Sequence, residues 1–184
     1  MSMFDKILIH ANDFFEIARR CEFPEGEVTN DNLPLIVPEF VNLAFACELY
    51  IKSISQFTNA NVKKIHRLDE LFYKLSANDK EAVYSLWRIT NGNNVDDHYY
   101  VRQMFRNNLE TITDVFTRFR YAHEWATTTI SLEHSFTSEQ FVKFSTLSAS
   151  RPFGSPPVYS GFLKQFAISL KTYAEQLMGK QYNS

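Results

Sequence analysis

Between residues 40 and 54 the apolar side chains Phe40, Leu43, Ala44, Cys47, Ile51 and Ile54 recur at three- and four-residue intervals. A backbone with 3.6 residues per turn gathers that set on one face, whereas an extended strand would scatter it over both. This run therefore demands a helix with something apolar to lie against. The same period appears at Ile7, Leu8, Ala11, Phe14, Phe15 and Ala18, ahead of a loop punctuated by Pro24 and Gly26. Two amphipathic helices joined through such a loop are expected to pack on each other. Glu48 and Lys52 stand four residues apart on the second helix, which predicts an exposed ion pair.

Further along, Leu68, Leu71, Phe72 and Leu75 mark a shorter helical face, and Ser76-Ala77-Asn78-Asp79 has the form of a capping box opening a helix with Ala82, Val83 and Leu86. Thr90-Asn91-Gly92-Asn93-Asn94 is a polar linker. Beyond it Val101, Phe105, Leu109, Ile112, Phe116, Phe119 and Ala126 keep helical period for seven turns, predicting the longest helix of the chain. Thr137-Ser138-Glu139-Gln140 has the pattern of a cap for a short helix. Ser148 to Gly161, with three prolines and two glycines, reads as an irregular connection before a last helix bearing Phe162, Phe166, Leu170, Tyr173 and Leu177. No segment alternates with period two and no repeat is evident. The expectation is an all-α, up-and-down helical bundle forming a single domain over residues 1–184.

Composition narrows the function. Nineteen Lys and Arg against 21 Asp and Glu give a net charge of -2, so the molecule as a whole does not attract polyanions, and any contact with RNA must be local. Cys21 and Cys47 sit in apolar helical patterns, as core thiols do, and point to a reducing compartment. No basic, signal-like start is present and no apolar run reaches the roughly 18 residues of a membrane span, so a cytoplasmic protein without a membrane partner is expected. The histidines show neither HExxH nor close Cys/His spacing, which predicts no metal site. Five glycines and no phosphate-loop pattern leave little material for a nucleotide cradle, and no cofactor is expected.

The residues richest in chemistry are Phe116-Thr117-Arg118-Phe119-Arg120-Tyr121-Ala122-His123-Glu124. Together with Glu48-Leu49-Tyr50-Ile51-Lys52 and His66-Arg67-Leu68-Asp69-Glu70-Leu71-Phe72, in that order along the chain, they make it resemble a HEPN-type helical domain over roughly residues 4 to 178. Active members of that family are metal-independent ribonucleases with an Arg-x(4-6)-His motif, often paired across a two-fold dimer. Arg118 and His123, with four residues between them, match the spacing. The resemblance implies Arg118 and His123 as catalytic residues, Arg120, Tyr121 and Glu124 as supporting ones, and RNA as substrate. It also implies a homodimer and a toxin or defence role with a cognate antitoxin protein. Phe119 departs from the pattern, since active members usually carry a polar residue directly after the arginine. Other relatives carry an RYxYE-like element without known catalysis, and Arg120-Tyr121-Ala122-His123-Glu124 fits that pattern with His123 in place of its second tyrosine. The resemblance thus leaves two roles open, ribonuclease and non-catalytic interaction module.

Local geometry bears on the choice. At about 100° per residue, Arg118 and His123 fall about 140° apart on a regular helix. His123 shares the stripe of Phe105, Ile112, Phe116, Phe119 and Ala126, while Arg120 and Glu124 are i,i+4 neighbours suited to an ion pair. Cleavage of RNA without metal needs a base, an acid and a cation at the phosphate; His123 is suited to the proton transfers and the planar fork of Arg118 or Arg120 to the phosphate. With one such histidine per chain, a second copy would supply the missing acid. A lesser candidate is His98 to Arg106, where aromatic rings alternate with cations.

Overall fold

The computed structural model describes residues 2–21, 36–58, 62, 64–90, 98–113, 130–131 and 158–182. These residues form an all-α bundle. Its helices are α1 (Met3–Arg20), α2 (Ile36–Phe57), α3 (Leu68–Lys74), α4 (Ala77–Thr90), α5 (His98–Ile112) and α6 (Ser160–Tyr182). Two short strands, β1 (Ile130–Ser131) and β2 (Val158–Tyr159), pair in parallel just before α6.

α1 begins at a complete capping box: the Ser2 hydroxyl accepts from the Asp5 N–H at 3.1 Å while the Asp5 carboxylate accepts from the Ser2 N–H at 2.7 Å. Its contacts with α2 run Phe4 to Phe57, Phe14 to Phe45 and Phe15 to Tyr50, and the Tyr50 hydroxyl donates to Asn12 Oδ1 at 2.7 Å. Phe4 at the start of α1 meets the end of α2 and Phe14 and Phe15 meet its middle, so the two helices are antiparallel. α2 in turn packs on α6 and α3. Enclosed from several sides, it buries Phe40, Leu43, Ala44, Cys47, Ile51 and Ile54 as its stripe predicts, and also Ala46, Glu48, Tyr50, Ser53 and Ser55. The helix starts at Ile36, ahead of Pro38; a proline in the first turn removes only an N–H that has no intrahelical partner there.

The second half is built on rings. Phe105 of α5 touches Phe72 of α3, Tyr84 and Trp87 of α4, and Phe162 and Phe166 of α6, all with centroids 5.1 to 5.8 Å apart. Four of the five pairs are edge-on, the geometry that ring quadrupoles favour. α4 and α6 are antiparallel, with Asp79 beside Tyr173 at one end and Trp87 against Phe162 at the other.

Two boundaries differ from expectation. α5 stops at Ile112 and Thr113 stands in a turn, its N–H bonded to the Glu110 carbonyl, so the seven-turn rod from Val101 to Ala126 is not formed as one piece. Apolar period carries across such a break because it records which face is buried and not whether the backbone hydrogen bonds continue. Phe116, Phe119 and Ala126 lie outside the described residues, as does the cap pattern at Thr137, and the longest described helix is α6. α6 also starts at Ser160, so Gly161 belongs to the helix and not to the connection; in the first turn its N–H needs no intrahelical partner. Among the described residues no helix is long and apolar enough to cross a membrane.

Candidate functional site

The five residues that the resemblance implies, Arg118 and His123 as catalytic and Arg120, Tyr121 and Glu124 as supporting, all lie outside the described residues. The other two elements of the resemblance are described, and the fold brings them together. Lys52 Nζ donates to Glu48 Oε1 at 2.6 Å, and His66 Nδ1 lies 3.0 Å from the same oxygen. Glu48 and Lys52 sit one turn apart on α2, so helical geometry alone sets their approach. Glu48 is buried and Lys52 partly so, with 7% of the Glu48 side chain and 17% of the Lys52 side chain exposed. This corrects the expectation of a surface pair: the helix carrying it is enclosed by its neighbours and keeps no wide solvent face.

His66 arrives from a different element. After α2 the chain is pinned by buried Val62, whose carbonyl accepts from the Ile65 N–H at 3.2 Å. The chain then runs extended through Arg67, and α3 opens with the Leu71 N–H on the Arg67 carbonyl. That turn lays the imidazole across the end of the Glu48 carboxylate while leaving 69% of the His66 side chain exposed. A carboxylate only accepts hydrogen bonds, so Nδ1 is the protonated nitrogen, and in the neutral ring Nε2 carries the lone pair.

The arrangement has the form of an acid–base pair: a buried carboxylate fixes the ring and its tautomer, and an exposed nitrogen is left to exchange a proton. Stability does not require it. The charge of Glu48 is already met by Lys52, and a bond to so exposed a partner contributes little to folding. Beside His66, Arg67 bridges Asp69 at 3.1 Å and Glu70 at 3.0 Å. Burial pushes the Asp69 carboxyl up, but the Arg67 guanidinium and the Glu70 N–H outweigh it and hold the group below its ordinary value. Thr113, the last described residue before the Arg118 to His123 stretch, donates its hydroxyl to the Leu109 carbonyl at 3.1 Å.

A second buried carboxylate is closed off. Asp79 Oδ2 accepts from the Ser76 hydroxyl at 2.6 Å, Oδ1 accepts from the Tyr173 hydroxyl at 2.7 Å, and its N–H donates back to Ser76 Oγ at 3.1 Å. Both oxygens are thus engaged at the N-terminus of α4, where helix partial charge favours an anion.

The lesser candidate, residues 98–106, opens α5 with Tyr99 and Tyr100 exposed and Val101 and Phe105 buried. Arg102 is engaged within the fold, forking onto both Glu81 oxygens at 2.9 and 3.0 Å and lying 4.4 Å above the Tyr84 ring. Cys21 and Cys47 are free, buried thiols, and burial pushes both up from the ordinary range. Among the described residues no three His, Cys, Asp or Glu side chains gather as a metal site would require.

No family model, curated protein or solved structure matches the chain. Sequence reasoning placed Glu48 and His66 in the resemblance without giving either a chemical role. They stand eighteen positions apart, and no local spacing announces that a turn will join them.

Proposed function

We propose that the protein is a metal-independent endoribonuclease of HEPN-like type. In it Arg118 holds the scissile phosphate and His123 transfers protons, supported by Arg120, Tyr121 and Glu124. The observation that carries this reading is the four-residue interval between Arg118 and His123, which puts a phosphate-binding fork and a proton-transfer group in one short stretch of an otherwise all-α chain. On this reading the protein acts as a toxin or defence effector, works as a two-fold homodimer, and is held in check by a cognate antitoxin protein.

One observation favours the alternative, a non-catalytic HEPN-like interaction module. Glu48 and Lys52, two residues of the family-like element on α2, are engaged with each other in the interior. An Arg120–Glu124 pair would be structural in the same way. Expression of the intact chain and of His123→Ala in growing bacteria separates the two roles. The ribonuclease predicts growth arrest with fragmented RNA, both abolished in His123→Ala while its helical circular dichroism is retained. Equal cleavage by both proteins, or intact RNA with both, favours the module.

A further inference from the structure

We infer that the exposed face of α5, with the adjoining start of α4, is a binding surface for single-stranded RNA. It shares its ligand class with the ribonuclease reading, yet it stands on described residues alone and requires no cleavage. At about 100° per residue, Tyr99, Gln103 and Arg106 fall within about 60° of one another and rise about 10 Å along one stripe of α5. All three are exposed. Tyr99 is 81% exposed, the most of any large apolar side chain among the described residues, and its neighbour Tyr100 is 60% exposed. A ring held so far into water by a helix offers its face to a base.

Cations gather around these rings. Arg102 forks onto both oxygens of Glu81 at the start of α4, so the acidic residue nearest the stripe is already neutralised. The residue before it, Lys80, reaches the Tyr73 carbonyl at 3.4 Å, and Lys74 stands exposed at the end of α3. Lys80 and Glu81 thus tie the end of α3 and the middle of α5 to the same turn of α4, with the Phe72 and Phe105 rings packed beneath. Among the described residues Lys74, Lys80 and Arg106 meet no carboxylate. Glu110, the only acidic residue of α5, stands near its far end. The surface therefore carries surplus positive charge on a chain whose net charge is -2.

That charge selects the occupant. A second copy of the face would bring the same cations and be repelled, whereas a polyanion is attracted. The rings narrow the choice further. Bases in a duplex are stacked on one another, while those of a single strand are open to stack on tyrosine as the guanidinium and ammonium groups hold the phosphates. An acidic peptide would meet the charge and leave the rings unused.

The test is fluorescence anisotropy of a labelled 2′-O-methyl RNA strand, which has no free 2′-hydroxyl and so stays whole beside a ribonuclease, titrated with the intact chain at several salt concentrations. Tyr99→Ala is expected to weaken binding by about 10-fold and Tyr99→Phe to restore it. Arg106→Gln should weaken binding and lower the slope of log Kd against log salt by about 0.7, while Arg20→Gln, the same loss of charge on α1, leaves the slope unchanged. All four substitutions are at exposed positions, so the helical spectrum should be retained. No binding by the intact chain overturns the inference. So does wild-type affinity in Tyr99→Ala, or displacement of the strand by polyglutamate as readily as by unlabelled RNA. Cleavage of ordinary RNA by a chain whose Tyr99→Ala variant binds unchanged overturns this surface and leaves the ribonuclease reading standing. Binding through Tyr99 and Arg106 by a chain that cuts nothing does the reverse.

Discussion

Glu48 and Asp79 are both buried carboxylates at 6% and 3% exposure, yet they end differently. Asp79 accepts from two hydroxyls, Ser76 and Tyr173, and joins α4 to α6, both of its oxygens engaged by neutral donors. Glu48 accepts from a partly buried ammonium and from an imidazole that is mostly in water. One arrangement completes the interior and the other hands the orienting power of the interior to the surface. The difference teaches that a buried charge by itself says nothing about function. What distinguishes a candidate site is a partner that the fold orients but does not need.

Removing each carboxylate should expose that difference. Glu48→Ala strips the counter-ion from a largely buried Lys52, and breaking a pair of this kind costs about 3 kcal/mol or more, read as a fall in the denaturant midpoint at constant slope. Asp79→Ala removes the acceptor of two hydroxyls and half of a capping arrangement, for which about 2 to 3 kcal/mol is expected from the same measurement. His66→Gln should change stability by less than about 0.5 kcal/mol, since its bond faces water. A large loss there would make His66 part of the structure and dissolve the contrast.

Alkaline pH gives a smaller and independent probe of the closed side. Burial and the bond given to Asp79 raise the Tyr173 phenol, and burial, with Cys47 and Glu175 nearby, raises Tyr50, both above an ordinary value of 10.0. A group raised in the folded state contributes stability that is complete below its unfolded value and is lost as pH climbs past it. Unfolding should therefore become easier above about pH 10, with phenolate absorbance appearing together with loss of helix. Tyr173→Phe should flatten part of that slope; an unchanged slope would mean that the hydroxyl is not held as the geometry indicates.

Much of the fold was legible because helical period reports burial directly. Each apolar position named for α2, and Leu68, Leu71, Phe72 and Leu75 around α3, is buried; so are the five named on α6. Ser76 and Asp79 cap α4 as their spacing indicates. What periodicity misread was context. It assigned α2 one buried face when neighbours enclose it, and so left Glu48 and Lys52 in water. It also could not see the break at Thr113. The site was less legible still. The Arg118 to His123 stretch falls outside the described residues, and the Glu48–His66 contact depends on a turn whose path no short motif encodes.

The claim that an interior carboxylate sets the state of a surface imidazole is tested most directly by nitrogen-15 NMR of His66 at a pH where its ring is neutral. Orientation by Glu48 predicts the Nδ1–H tautomer in the intact chain, shifting toward Nε2–H in Glu48→Gln. An Nε2–H ring in the intact chain, unaltered by that substitution, would contradict the account.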